Sequence, residues 1–282
     1  MKFSGVLAFA AAVAAYDHGP GYGGSGPYKS YYFEVETLAN HTLYQPLQSA
    51  LGSKLKLPVV VWVGLDFRSF LSEVASHGAL AIATGNIFVD PETYVARPFD
   101  PNNLGLNPGA LTEAVDWVYA NAGKGEWKHV DKTRIGVWGQ SCGGLEAYTA
   151  GLEDDRIGHV GIFNSGQLNE TESEAVAGNL HKPIFYLLGG PTDEAYVNGE
   201  RDYVDLPKGT PAWKANHALG HGAAFDVPNA GIPGIVGSKI VQWVLRGDAK
   251  AKKWFTGEGA YSVGITDVEY KSLDRIKVAP IQ

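Results

Sequence analysis

Short, continuous apolar runs alternate along the chain with segments whose apolar residues recur at helical spacing. LPVVVWVG is followed by RSFLSEVASHG, a helical pattern, and then by a second run, ALAIATG. Beyond the loop NIFVDPETYVARPFDPNNLG, the pattern ALTEAVDWVYANAG predicts a helix leading into the strand TRIGVWG. GGLEAYTAGL continues as a helix, HVGIFNSG and KPIFYLLGG are two further runs, and GSKIVQWVLRGDAKAKKWF closes the pattern as one amphipathic helix. Strands that are apolar on both faces, separated by helices, predict an α/β domain with a mostly parallel sheet covered by helices on both faces. Ahead of them, SYYFEVETL and HTLYQPL carry the aromatic and β-branched residues of short antiparallel edge strands.

The domain division follows from the ends of this pattern. MKFSGVLAFAAAVAAYDHG has a basic n-region at Lys2, an apolar core and the small residues Ala12-Val13-Ala14, so residues 1–15 are expected to be a secretory signal peptide. The apolar stretch is shorter than a bilayer requires, so stable membrane insertion is not expected. YDHGPGYGGSGPYKS is rich in Gly and Pro, and residues 16–29 are expected to form a flexible lead-in to a single domain over 30–282. The sequons at Asn40 and Asn169 suit a secreted, extracellular glycoprotein. No internal repeat or polar linker divides the rest.

Composition narrows the partners. A formal charge of −7 over 282 residues, with no basic block, argues against a nucleic-acid partner. The only cysteine is Cys142, so no intramolecular disulfide can form and the core alone carries stability.

The chemistry concentrates at RIGVWGQSCGGLEAY. Gly139-Gln140-Ser141-Cys142-Gly143 matches G-x-S-x-G, a weak signal alone in a chain with 36 glycines. Its setting strengthens it: an apolar run precedes and helix formers follow, as a sharp strand-to-helix turn demands. A serine hydroxyl needs a histidine base and an orienting acid to become a nucleophile. In the order serine, acid, histidine, His217 and His221 lie late enough, and His221, between glycines after a short final strand, is the favoured base. Asp193 follows KPIFYLLGGPT at the carboxyl end of a buried strand, where open α/β sheets gather site residues. Asp202 and Asp205 are the fallbacks. His217 and His221 are four apart, yet Gly220 disfavours the helix a zinc pair would need, so neither metal nor cofactor is expected. Cys142 reads as a small buried hydrophobe.

With GIFNSG, KPIFYLLGGPTDEAYVNGERDY, GHGAAF and VQWVLRGDAKAKKWF added, the chain resembles secreted fungal α/β-hydrolases of dienelactone-hydrolase-like type from about residue 30 to its end. The resemblance implies the α/β-hydrolase fold and carboxylic-ester hydrolysis, with Ser141, Asp193 and His221 at the triad positions. It also implies an oxyanion hole built from the Cys142 amide and one from the loop after VVVW. In similar proteins a glycine-rich segment of the type G-N-G-G-C stands in that loop. Here VVVWVGLDFRSFLSEVASHG runs directly on, which leaves Gly64 or Leu65 as the second donor.

The short stretch between GIFNSG and KPIFYLLGG has no room for a large helical lid. Gln140, Tyr94, Phe99 and Tyr196 are the candidates for lining an open site that takes a small-molecule or polymeric ester. A peptidase or amidase using the same triad, and a degenerate hydrolase acting in binding because of the shortened loop, are the alternatives.

Overall fold

The computed structural model describes residues 23–52, 54–64, 67–85 and 106–282. One nine-stranded sheet runs through the molecule in the order β1-β2-β4-β3-β5-β6-β7-β8-β9. Its strands are β1 (Ser30–Phe33), β2 (His41–Pro46), β3 (Leu57–Val63), β4 (Leu80–Thr84), β5 (Val130–Gln140), β6 (His159–Phe163), β7 (Ile184–Leu188), β8 (Ala212–Asn216) and β9 (Thr266–Lys271). From β4 through β8 all neighbours are parallel, while β1, β2 and β9 pair antiparallel at the two edges.

Alternate side chains on the parallel strands β3 to β8 face opposite ways, and both sets are largely buried. On one face Val59, Val61, Ile135, Val137, Ile162 and Tyr186 pack against Leu111 and Val115 of α2 (Pro108–Asn121) and Tyr148 of α3 (Cys142–Glu153). On the other, Val60, Trp62, Trp138, Phe163 and Phe185 meet Phe70 and Val74 of α1 (Arg68–Ser76), Ile240 of α6 (Gly231–Ile240) and Phe255 of α7 (Ala249–Thr256). Two shorter helices, α4 (Glu170–Val176) and α5 (Tyr196–Asp205), follow β6 and β7.

Register decides where chemistry can gather. Val63 pairs with Gly139, Gln140 with Phe163, Phe163 with Leu187 and Leu188 with Asn216. The carboxyl ends of β3, β5, β6, β7 and β8 therefore share one edge of the sheet, the side on which open α/β sheets bind ligands.

Three features depart from the sequence reading. Residues 23–29 are held rather than loose: the Ser25 amide and hydroxyl donate to the Glu73 carboxylate at 2.6 and 2.7 Å, and the Gly26 and Tyr28 amides donate to Ser76 at 2.9 and 3.0 Å. The closing helix is broken, because Gly247 takes φ 77° and Asp248 starts α7 afresh by accepting from the Lys250 amide at 2.7 Å. β9 was not anticipated; as an exposed edge strand it has no apolar run to mark it. The signal-peptide segment 1–15 lies outside the described residues. Among the described residues no helix is long and apolar enough to cross a membrane.

Candidate active site

Ser141 stands at the junction of β5 and α3 with φ 54° and ψ −127°, a conformation that costs a residue with a side chain on the order of 1–3 kcal/mol. The surroundings hold it there. Its amide donates to the Phe163 carbonyl at 3.2 Å, and its own carbonyl accepts from the Gly144 amide at 2.9 Å and the Ser165 hydroxyl at 2.6 Å. The flanking glycines are a steric requirement. A Cβ on Gly139 would lie 2.1 Å from the Gly143 oxygen, and one on Gly144 would lie 2.4 Å from the Ser165 hydroxyl.

The turn aims the Ser141 hydroxyl at His221 in the loop after β8, which is in turn braced by Asp193 in the loop after the adjoining β7. Ser141 Oγ is 2.8 Å from His221 Nε2, and His221 Nδ1 is 2.7 Å from Asp193 Oδ1. Asp193, in the loop after β7, is 4% exposed, and its carboxylate also accepts from the Ala195 amide at 2.9 Å, the Gly189 amide at 3.0 Å and Asn164 Nδ2 at 3.0 Å. Burial opposes its charge, but the hydrogen bonds from His221, Ala195 and Asn164 outweigh burial and hold the carboxyl below its ordinary range. The reciprocal bond to Asp193 raises the His221 imidazole above its ordinary value against the opposing effect of burial. His221 is thus a stronger base than a free histidine, with Nδ1–H committed to Asp193 and Nε2 facing the serine.

His217 has a different place. It is buried, accepts from the Leu219 amide at 3.1 Å through Nδ1, and is pushed down to about 4 by burial, so it stays neutral. Asp202 lies under the sheet, where its carboxylate accepts from the Tyr148 hydroxyl and the Gln167 amide, both at 2.8 Å.

Other expectations for the site need correction. Gln140 does not line the cavity: its side chain donates to the His221 carbonyl at 3.0 Å and steadies the histidine loop. Tyr196 packs against the core beneath α5. The Gly64 amide is taken by Thr84 Oγ1 at 3.2 Å, so it does not face the serine. Cys142 is half-buried and lines the cavity rather than the helix packing, and its amide belongs to the first turn of α3, where amides have no intrahelical partner. Leu65, Tyr94 and Phe99 lie outside the described residues. Asn40 and Asn169 are both exposed, and Asn169 caps α4 by accepting from the Glu172 amide at 3.0 Å.

Asn164 was missed by sequence reasoning. Fully buried just beyond β6 at φ 46°, it donates through Nδ2 to Asp193 and, at 2.9 Å, to the Gly220 carbonyl, joining the acid to the histidine loop. The only hint was an asparagine before Ser-Gly at a strand end, since asparagine tolerates left-handed backbone.

A cavity of about 170 Å³ opens beside the triad, lined mainly by Leu145, Gly166, Leu168 and Ala195, with Ser165, Glu194 and Asn198 as its polar members besides Ser141 and His221. Among the described residues, no group of three or more His, Cys, Asp and Glu is placed to hold a metal ion. No protein-family model matches the chain, and no curated protein matches it.

Proposed function

We propose that the chain is a secreted serine hydrolase of the α/β-hydrolase fold that cleaves carboxylic esters through an acyl-enzyme intermediate. One observation carries this reading: the unbroken chain of contacts at 2.8 and 2.7 Å from Ser141 through His221 to Asp193, with the serine on a strained turn at a helix N-terminus. As Ser141 Oγ attacks the ester carbonyl, its proton passes to His221 Nε2, and Asp193 stabilises the imidazolium. That proton then goes to the departing alkoxide, which leaves as the alcohol. Water, deprotonated by the same imidazole, attacks the acyl-serine; the proton returns to Ser141 and the acid is released. The Cys142 amide is one oxyanion donor, and the Leu65 amide is the remaining candidate for the second.

A secreted route fits the signal-like start and the exposed sequon asparagines Asn40 and Asn169. One observation favours a second reading, a binding protein that retains the triad: Thr84 occupies the Gly64 amide. Loss of one oxyanion donor costs roughly 10²- to 10³-fold in turnover, so a slow esterase survives it. Stopped-flow hydrolysis of p-nitrophenyl acetate separates the two. The esterase gives a burst of nitrophenol matching the enzyme concentration, or steady turnover lowered by about 10⁴-fold or more in Ser141→Ala. Turnover equal in wild type and Ser141→Ala excludes the esterase. An amide analogue hydrolysed as fast as the ester would instead make the chain an amidase.

A further inference from the structure

The cavity beside Ser141 is small and unequal in charge. Its sides are Leu145 of α3, Gly166 and Leu168 after β6, and Ala195 at the start of α5. Its volume, about 170 Å³, is close to the roughly 150 Å³ of an apolar cavity that takes up a single benzene. No Lys or Arg is among its described lining residues, and the one charged side chain there besides the triad is Glu194. Glu194 Oε1 lies 3.7 Å from His221 Nε2, at the mouth where the ester must sit, and its side chain is 80% exposed. A second carboxylate, that of Asp193, lies behind His221.

Resting on the serine-hydrolase reading, we propose that this cavity selects esters with one neutral, apolar arm of about four to six carbons or a single phenyl ring, and that Glu194 excludes arms ending in a carboxylate. Apolar walls reward burial of each added CH₂ by about 0.8 kcal/mol until the volume is filled. Longer chains must leave the cavity and gain nothing more from it. An acidic arm has no cation to meet and stands near a fixed negative charge. At distances of about 5–8 Å and an effective dielectric of about 50 to 70, this repulsion corresponds to roughly three- to tenfold in kcat/KM. Because Glu194 is exposed, added salt weakens the exclusion.

The arm could belong to the acyl or the alcohol half of the ester, and two substrate series tell them apart. In the first, p-nitrophenyl esters run from acetate to decanoate, with benzoate; in the second, acetate esters run from methyl to decyl alcohol, with phenyl. In the series whose variable half enters the cavity, kcat/KM rises about tenfold or more from two carbons to its maximum at four to six carbons and then falls or levels. In that same series the acid-ended arm, hemisuccinate against butyrate for the acyl half or 3-carboxypropyl acetate against butyl acetate for the alcohol half, is disfavoured three- to tenfold at low salt. Both Glu194→Gln and 0.5 M NaCl move that acid-to-neutral ratio towards one. A maximum at eight carbons or more, a flat profile in both series, or a ratio unmoved by Glu194→Gln overturns the inference while leaving the hydrolase intact. Absence of any Ser141-dependent turnover, with acetate included, overturns the hydrolase reading itself and the cavity's role with it.

Discussion

Asn164→Gly tests the geometry of the site without reference to its substrate. Glycine accepts the φ of 46° that Asn164 adopts, so the substitution removes the side chain with no backbone strain. Three contacts vanish: one to the buried Asp193 carboxylate at 3.0 Å, one to the Gly220 carbonyl at 2.9 Å, and one to His217 Nε2 that at 3.4 Å is long enough to add little. A bond to a charged group contributes about 1.5–3 kcal/mol and one between neutral groups about 0.5–1.5 kcal/mol, so the loss is about 2–4 kcal/mol. Asn164→Ala adds about 1–2 kcal/mol, because alanine is strained in left-handed backbone. Urea unfolding followed by tryptophan fluorescence measures both variants, with the midpoint lowered and the slope unchanged. The Asp193 share has a pH signature. Its native carboxyl sits below its ordinary 3.8, so the stability it supplies is present above that value and is lost as the pH falls through the native value. The gap between wild type and Asn164→Gly therefore narrows in acid. A loss below about 1 kcal/mol for Asn164→Gly, or a gap unchanged across that acid range, refutes the role assigned to Asn164.

Other consequences follow from the same contacts. Because the His221 value is raised by Asp193, its contribution to stability is complete below the unfolded-state value near 6.5 and is lost as pH rises through the higher native one. On the serine-hydrolase reading catalysis needs the unprotonated ring, so kcat/KM climbs with pH through an apparent value above 6.5, and Asp193→Asn moves that limb downward while depressing turnover by about 10⁴-fold. Gly139→Ala places a Cβ 2.1 Å from the Gly143 oxygen and forces the turn apart, so it lowers the unfolding temperature and abolishes the burst, whereas alanine at the open position Gly123 is milder. Tyr148→Phe removes the 2.8 Å donor to the buried Asp202 carboxylate, costing about 1–3 kcal/mol in urea unfolding, with no direct contact to Ser141.

What could be read from the sequence was what is locally determined. The serine turn is steric, so the glycines at 139, 143 and 144 announce it. Asp193 and His221 could be chosen because parallel strands put their following loops on one edge, whatever the details of packing. Asn164 was hidden because its role exists only once β6 lies between β5 and β7 and its loop reaches both others. Gln140 and Tyr196 were assigned to the cavity, but the phase of strand and helix turns one to the His221 carbonyl and the other into the core. The lead-in was read as loose from its glycines, whereas Glu73 and Ser76, some fifty residues away, supply its partners.

Fluorophosphonate labelling of the purified chain, located by peptide mass spectrometry, tests the nucleophile directly. A single adduct on Ser141 is expected, absent in Ser141→Ala, strongly slowed in His221→Ala and retained in a folded His217→Ala. A folded wild type that takes up no adduct, or one labelled equally well in Ser141→Ala, would contradict the assignment of Ser141 as an activated nucleophile.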